Sequence, residues 1–451
     1  MKKLFGTDGI RNRVNEYPVT DLIALQTGKA LAVYCRNQTR RRVRAVVARD
    51  TRTSGAMLEN ALIAGMLSMD MDVIPLGILP TPAAAQLVKT SNSDCAVVIT
   101  ASHNPACDNG IKIFDQDGFK LTESVEVMLE KMILTEELAH AHAPAGITGA
   151  LLDGSDALAC YKKYASQTIG TTSFEGMKIV VDCANGSAYR AAPEIFRELG
   201  AEVIACNNLP DGKNINDNCG AVHPANISRL VTEHRADLAL ALDGDGDRVI
   251  FCDAAGRIID GDAIIGMNIL AARQRGLLRN NKCAVTVMSN LGFHKAMRSN
   301  DIEVITTDVG DQHVIDAMRR HDCQIGGEQS GHIIFLDHGT SGDGIVSALQ
   351  VMKLMKESGK TLTELADFMH PYPQKLLNLP VKRKLPLEEM TQTMRTVSNY
   401  NRSAAGEGRV MVRFSGTENK LRILAEASEA DEMEKILDQT VKAAMADLEE
   451  K

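Results

Sequence analysis

An order of elements that recurs three times constrains this chain more than any other feature. From Val43 the apolar run "VRAVVA" is followed by a helical pattern over residues 54–69, the run "DVIPL", a helical pattern over 82–89 and the run "DCAVVIT". The same order returns as "MKIVVDC", a helix over 188–199, "AEVIAC", the helix "NISRLVTEH" and "DLALAL". It returns again as "KCAVTVM", a helix after Asn290, "IEVITT", the helix "DQHVIDAMRR" and a short strand ending at Ile325. Short apolar runs bounded by turns and separated by helices are the pattern of strands buried on both faces. Three such units predict three tandem α/β domains with mixed, largely parallel sheets. In such domains the ligand sites lie in loops beyond the carboxyl ends of the strands.

Periodicity lapses in "AHAHAPAGITGALLDG" and near "DAAGR", which are the expected breaks. After "HPYPQ" the pattern changes to "GRVMVRFSGTENKLRILAEA" and a long amphipathic helix from about Glu429. This predicts a smaller α+β domain of two strands joined by a polar loop and backed by a helix. The expected domains are 1–150, 151–254, 255–369 and 370–451.

The 451 residues, 44% of them apolar, are enough for several cores. No signal-like segment and no apolar run near the ~18 residues of a membrane span is found, so a cytoplasmic protein with no membrane partner is expected. Ten cysteines are scattered singly without a C-x-x-C pair, the usage of a reducing compartment. Net charge is −8, and the one dense basic group, "RNQTRRRVR", has no aromatic interleaving. Nucleic-acid binding is therefore disfavoured, while a basic pocket for a small anion stays open. His140 and His142 form an H-A-H pair with no third ligand nearby, which reads as linker.

The polar motifs fall where the fold pattern puts loops. "ALDGDGDRV" follows an apolar run and alternates Asp243, Asp245 and Asp247 with glycines. Three carboxylates can converge there, and crowded oxygens repel one another unless a divalent cation joins them, which favours Mg²⁺. A calcium loop is excluded, because Arg248 stands where it needs glycine and Ala254 where it needs glutamate. A polar turn is the bland alternative, but three aspartates ending a buried strand are costly to leave unpaired.

"VITASHNPACDNGIKIF" places Ser102 beside His103, with Lys112 ten residues after Ser102. On an extended segment the first two side chains point apart, so a hydrolase-type serine–histidine pair is not expected, and no G-x-S-x-G surrounds them. A phosphorylated serine would supply oxygens to a three-aspartate Mg²⁺ site; the fragment alone is equally a capped turn. "GGEQSGH" carries Glu328, Ser330 and His332, and suits either sugar hydroxyls or a plain turn. "VRFSGTENKLR" sets Arg413 and Arg422 around Ser415, Gly416 and Thr417, which suits a phosphate monoester or a solvated hairpin.

Together and in this order, the four motifs resemble the phosphoserine, metal, sugar and phosphate loops of the α-D-phosphohexomutase family across essentially the whole chain. "FGTDGIR", "VGD", "GGEQSGH" and "TSGDGIVSALQ" are most similar to its bacterial branch acting on an amino-sugar phosphate. The resemblance implies an α/β fold: three tandem mixed-sheet domains bearing phosphoserine (1–150), metal (151–254) and sugar (255–369), plus a smaller α+β phosphate-binding domain (370–451), around a central cleft. It implies that Ser102 is the phosphorylated residue and a ligand of one Mg²⁺ per chain, with Asp243, Asp245 and Asp247. Arg11, His103, Lys112 and Arg248 would line the same cleft. Lys112 is the first choice for general acid/base, since a lysine among cations loses its proton more readily, and His332 is the second.

Glu328 and Ser330 would read hydroxyls, and Arg413, Ser415, Gly416, Thr417 and Arg422 would hold the unreacting phosphate. The implied reaction interconverts glucosamine 6-phosphate and glucosamine 1-phosphate, in amino-sugar metabolism leading to UDP-N-acetylglucosamine. It passes through a phosphoserine enzyme and glucosamine 1,6-bisphosphate, which or a similar bisphosphate would also be the activator. The implied partners are a small sugar phosphate and, as often in the family, a second copy in a homodimer. Turning the bisphosphate over calls for a hinge near "HPYPQ". Departures from the family pattern stand at Asn12, Gln312 and Asn419. A mutase for neutral hexose phosphates using the same machinery, or a sugar-phosphate sensor without turnover, are the competing readings.

Overall fold

The computed structural model describes residues 4–6, 8–415 and 419–449. The first sheet contains β1 (Phe5–Gly6), β2 (Gly9–Arg13), β3 (Arg44–Arg49), β4 (Asp72–Ile78), β5 (Cys95–Ile99) and β6 (Asp108–Asp115), in the order β1-β2-β6-β5-β3-β4. The second contains β7 (Lys178–Asp182), β8 (Glu202–Cys206), β9 (Leu238–Leu242), β10 (Val249–Asp253) and β11 (Ile258–Ile259), ordered β11-β10-β9-β7-β8. The third contains β12 (Lys282–Thr286), β13 (Glu303–Thr307), β14 (Ile325–Gly327) and β15 (Ile333–Phe335), ordered β13-β12-β14-β15.

One plan underlies all three sheets. The first strand of each repeat lies between the second and the third and is parallel to both. The third then pairs antiparallel with the strand that follows it. The sheets are thus mixed, but less parallel than expected: the parallel part is a trio in each, and the remaining strands run antiparallel. "DAAGR" is the turn of the β10–β11 hairpin, so the second sheet continues to Ile259. The third-sheet strand begins at Ile325 instead of ending there, because "IGG" pairs with both β12 and β15.

Burial explains the strand sequences. Ala45–Ala48 of β3 and all of β5 and β9 are buried, as continuous apolar runs require when helices cover both faces. Helix Asp21–Gln38 starts at Thr20, whose hydroxyl accepts from Ile23 N, with Asp21 in its first turn. It packs on helix Gly55–Ser68 through two glycines: a Cβ on Gly28 would lie 2.1 Å from Leu62 O, and one on Gly65 2.0 Å from Leu25 O. Any side chain there would force the backbones apart.

The chain divides into two compact units, residues 1–287 with 303–366, and residues 288–302 with 367–451. The second has a three-stranded antiparallel sheet of β16 (Gln374–Pro380), β17 (Gly408–Phe414) and β18 (Lys420–Ala427), with β18 central. β16 is additional to the two expected strands. Helices Thr391–Ser403 and Ala430–Glu449 complete it around a core including Met390, Val410, Ile423 and Ile436. Helix Leu291–Ser299, which follows β12 in sequence, belongs to this second unit: Leu291 N donates to Glu426, and Asn290 exchanges two hydrogen bonds with the Tyr372 backbone. No helix among the described residues is long and apolar enough to cross a membrane, and all ten cysteines are unpaired.

Candidate active site

Equivalent loops of the three repeats carry the motifs. Ser102 lies between β5 and β6, the aspartate motif between β9 and β10, and Glu328 to His332 between β14 and β15. Each follows the carboxyl end of the third strand of its trio, where strand termini leave room for side chains to converge.

Asp243 and Asp245 are fully buried and Asp247 nearly so, and the three carboxylates offer oxygens all within 4.8 Å of one another. The glycines between them permit this: a Cβ on Gly244 would stand 2.5 Å from Ser102 O, and Gly246 has φ +73°. Ser102 is buried and its hydroxyl donates to Asp243 Oδ2 (2.7 Å). Thr81, at the start of helix Thr81–Thr90, donates its hydroxyl to Asp245 Oδ2 (2.6 Å) and its N–H to Asp245 O (2.9 Å). Asp245 Oδ1 and Asp247 Oδ1 are buried without a hydrogen-bond partner among the described residues. Burial and the charges of Asp247 and Asp245 push the Asp243 carboxyl well above its ordinary value. An all-oxygen donor set with orphaned oxygens and mutual repulsion fits a hard divalent cation such as Mg²⁺.

Lys112, on β6, points into this group. Its ammonium lies 2.9 Å from Asp245 Oδ2, 2.9 Å from Asp247 Oδ2 and 3.2 Å from Asp8 Oδ2. Burial would lower its pKa, but the three carboxylates outweigh burial and hold it well above the usual lysine value. The expectation of a lysine among cations is therefore corrected. Its nearest partners are anions, carboxylates that the segment around Asp8 and the aspartate loop bring to it, and they outweigh the one cation nearby, Arg11.

Lys112 is one member of a chain of alternating charge. Asp247 pairs with Lys112, Lys112 with Asp8, Asp8 with Lys120 and Lys120 with Asp311, while His332 lies between the two ends, its Nε2 3.6 Å from Asp311 and its Nδ1 3.6 Å from Asp247. Burial alone would raise the Asp247 carboxyl, yet Lys112, His332 and Arg248 hold it well below the normal range. Burial lowers the His332 pKa, whereas Asp247, Asp311 and Glu328 raise it, with a net rise. Gly342 N donates to His332 Nε2 (3.0 Å), a bond open only to the unprotonated nitrogen. This contact places the neutral ring's proton on Nδ1, facing Asp247.

His103 differs from expectation. Ser102 has φ +51°, so the segment is turned, and Ser102 Oγ sits 3.4 Å from His103 Nδ1 instead of facing away. Burial, Arg248 and Arg11 lower the His103 pKa to about 4, which leaves the imidazole neutral at neutral pH. Arg11 pairs with Asp8 (2.7 Å), and Arg248 N donates to Asp243 Oδ1 (3.1 Å).

Glu328 accepts from Gly310 N (3.2 Å) and from the Ser330 hydroxyl (3.4 Å), and Gln329 donates to Asp260 (3.2 Å). Gln312 donates to Leu121 O (3.1 Å), and Asn12 to Tyr17 O (2.7 Å). In the second unit, Arg413 and Arg422 are directly paired across β17 and β18, and Arg422 reaches the Ser415 hydroxyl (3.5 Å). Gly416 and Thr417 lie outside the described residues. Lys384 donates to Ser415 O (2.6 Å), an approach that no motif signalled. Asp8, Thr81, Lys120 and Asp311 were also missed. Asp8 and Asp311 stand inside the quoted "FGTDGIR" and "VGD", whereas nothing local distinguishes Thr81 or Lys120.

Profiles of the phosphoglucomutase/phosphomannomutase family match in four consecutive blocks: α/β/α domain I over residues 2–140, domain II over 160–256, domain III over 260–372 and the C-terminal domain over 376–443. The chain is 47% identical over 436 residues to a phosphoglucosamine mutase of Anaeromyxobacter sp. (strain Fw109-5), covering 95% of this chain and 92% of that one. It is 45% identical over 434 residues to a phosphoglucosamine mutase of Pelobacter propionicus, covering 96% of each. A phosphoglucomutase/phosphomannomutase family protein of Burkholderia thailandensis shares the fold at a TM-score of 0.82 with 22% identity, over 99% of this chain and 98% of that one. An Aspergillus fumigatus N-acetylphosphoglucosamine mutase, solved with GlcNAc-6P and magnesium, does so at 0.68 with 19% identity, over 99% and 96%. Four matched domains in family order, on near full-length identity, lead to one conclusion: the chain belongs to the phosphoglucomutase/phosphomannomutase family of α-D-phosphohexomutases.

Proposed function

We propose that the chain interconverts glucosamine 6-phosphate and glucosamine 1-phosphate, with Ser102 carrying the transferred phosphoryl group. The choice of sugar is supported by relatives named phosphoglucosamine mutase at 45–47% identity over nearly the whole chain. The single observation that carries the mechanism is the Ser102 hydroxyl bonded to Asp243 within a buried three-aspartate group. Ser102, Asp243, Asp245 and Asp247 would hold one Mg²⁺, whose charge would polarise phosphoryl oxygens.

In the forward direction the P–Oγ bond of phosphorylated Ser102 breaks as the C1 hydroxyl oxygen of glucosamine 6-phosphate bonds to phosphorus. The hydroxyl proton leaves to a base, Ser102 Oγ takes up a proton, and glucosamine 1,6-bisphosphate results. After the bisphosphate turns over, Ser102 Oγ gives up its proton and bonds to the phosphorus of the 6-phosphate as the P–O6 bond breaks, O6 takes up a proton, and glucosamine 1-phosphate departs. Lys112, held as an ammonium by its carboxylate neighbours, starts as the general acid at Ser102 Oγ and becomes the base for the return step. His332, with its proton on Nδ1, is the second choice. Arg11, His103 and Arg248 bring polar and cationic character to the same loops. Glu328 and Ser330 would read hydroxyls, and Arg413, Ser415, Gly416, Thr417 and Arg422 would bind the distal phosphate. The bisphosphate requires the C-terminal domain to move about a hinge near residues 370–374, and a homodimer is the expected assembly.

The test is a ³¹P NMR time course with Mg²⁺ and trace hexose 1,6-bisphosphate, offering glucosamine 6-phosphate, glucose 1-phosphate and mannose 1-phosphate separately. Fastest conversion of the amino sugar is expected. Preference for a neutral hexose would move the chain to the other branch of the family, and no conversion would favour a sensor.

A further inference from the structure

Beneath the Ser102 loop lies an arginine that the mechanism above does not use. Arg52, just after β3, is 1% exposed, and its guanidinium is surrounded by acceptors. Nε donates to Asp50 Oδ2 (2.8 Å). Nη1 donates to Pro105 O and to Asp108 O (2.9 Å), and Nη2 to Ser102 O (3.0 Å) and Asn104 O (2.8 Å). Four carbonyls of one loop thus converge on one side chain. Carbonyls turned inward on a common point repel, and a planar fork of five N–H donors neutralises them as no other side chain can.

The same cluster grips Ser102 at its other end. Asp50 Oδ2 also accepts from the Thr100 hydroxyl (2.6 Å), and Thr100 Oγ1 accepts from Ser102 N (2.9 Å). Ser102 is therefore fixed at both its N–H and its C=O. Its φ of +51° makes this consequential, since a residue with a Cβ keeps that conformation only where its surroundings impose it. From the second repeat, Asn216 Nδ2 donates to the same Ser102 O (2.9 Å) and Asn104 O (3.1 Å).

A buried Arg–Asp pair could serve packing alone. Against that, four of the five acceptors belong to the reactive loop, and one is the carbonyl of the reacting serine itself. We propose that Arg52 is a positioning residue for phosphoryl transfer, setting through the backbone of residues 102–108 the direction in which Ser102 Oγ faces the aspartate triad. The inference rests on Ser102 being the residue that carries the phosphoryl group.

Arg52→Lys keeps a cation beside Asp50 but cannot span the loop's four carbonyls. Hydrogen exchange followed by mass spectrometry on the full chain should show residues 102–108 exchanging about 10-fold faster or more, with β5 unchanged. Turnover of glucosamine 6-phosphate should lose about 10²-fold in kcat with KM nearly unaltered, as a small misplacement of a reacting group predicts. Asn216→Ala, which leaves Arg52 and the first-sheet core intact, should show the same split with a loss of about 10-fold, and decides the matter should Arg52→Lys fail to fold. Wild-type loop exchange and kcat in a folded variant would overturn the proposal. So would faster exchange spread evenly over the first sheet with kcat per folded molecule unchanged. If the wild type converts no sugar phosphate, the proposed function falls, and the exchange pattern alone still decides whether Arg52 holds the loop.

Discussion

Replacing Lys112 with methionine keeps an unbranched apolar stem, one atom shorter, and removes the ammonium with its charge and donors, so the result reads the electrostatics of the triad. The ammonium lies 2.9 Å from two carboxylates and 3.2 Å from a third, with its side chain 2% exposed. Removing one partner of a buried ion pair costs about 3–5 kcal/mol, because the remaining charge stays buried and unpaired. A divalent cation is drawn to the same oxygens as the ammonium, so losing one should favour the other. Bound Mg²⁺ at 100 times its Kd stabilises by about 2.7 kcal/mol, and a tenfold fall in Kd adds about 1.4 kcal/mol at fixed concentration. Urea denaturation of both proteins in EDTA and across a Mg²⁺ series, with direct calorimetric titration, measures each term. The expected variant is much less stable than wild type in EDTA, regains part of the loss with Mg²⁺, binds Mg²⁺ more tightly and turns over poorly. A variant as stable as wild type in EDTA, or one that binds Mg²⁺ more weakly, would refute the competition between ammonium and metal.

Three further outcomes are expected. Ser102→Ala should abolish turnover and ³²P labelling from a hexose bisphosphate while leaving the circular dichroism spectrum unchanged; labelled protein would sink the phosphoserine assignment. The His103 pKa of about 4 lies below the unfolded value, so the folded state binds fewer protons between the two. Its contribution is complete above about pH 6.5, falls as pH drops toward 4, and amounts to at most about 3 kcal/mol. His103→Gln should therefore flatten the fall in urea midpoint between about pH 7 and pH 5, and identical slopes would contradict this. A Cβ at Gly261 would lie 2.1 Å from Glu328 O and 2.9 Å from Gln329 O. Gly261→Ala should cost about 1–3 kcal/mol and raise KM more than it lowers kcat, whereas an unchanged KM would detach Glu328 from substrate binding.

Local pattern carries the repeat and the motifs because both are short-range properties. Strands buried on both faces must be continuously apolar, so "RAVVAR", "CAVVI" and "LALAL" announce themselves, and aspartates alternating with glycine after such a run mark a loop built to converge. The third strand of the C-terminal sheet escaped notice because β16 reads "QKLLNLP", ends in proline and is largely exposed, with no clean alternation. The charges around Lys112 were beyond local reading, since Asp8, Asp245 and Asp247 lie far from it in the chain and meet it only when two sheets place their loop ends together. The turned backbone at Ser102, which brings His103 within 3.4 Å, depends on the grip of Arg52, Thr100 and Asn216, two of them from distant strands and loops. The sequence by itself determined which residues are chemically equipped to act and which loops carry them. Only the tertiary structure decided the protonation state of Lys112, the reach of His103 and the role open to Arg52, because electrostatic and hydrogen-bond energies are set by separations and burial that nearby sequence does not encode.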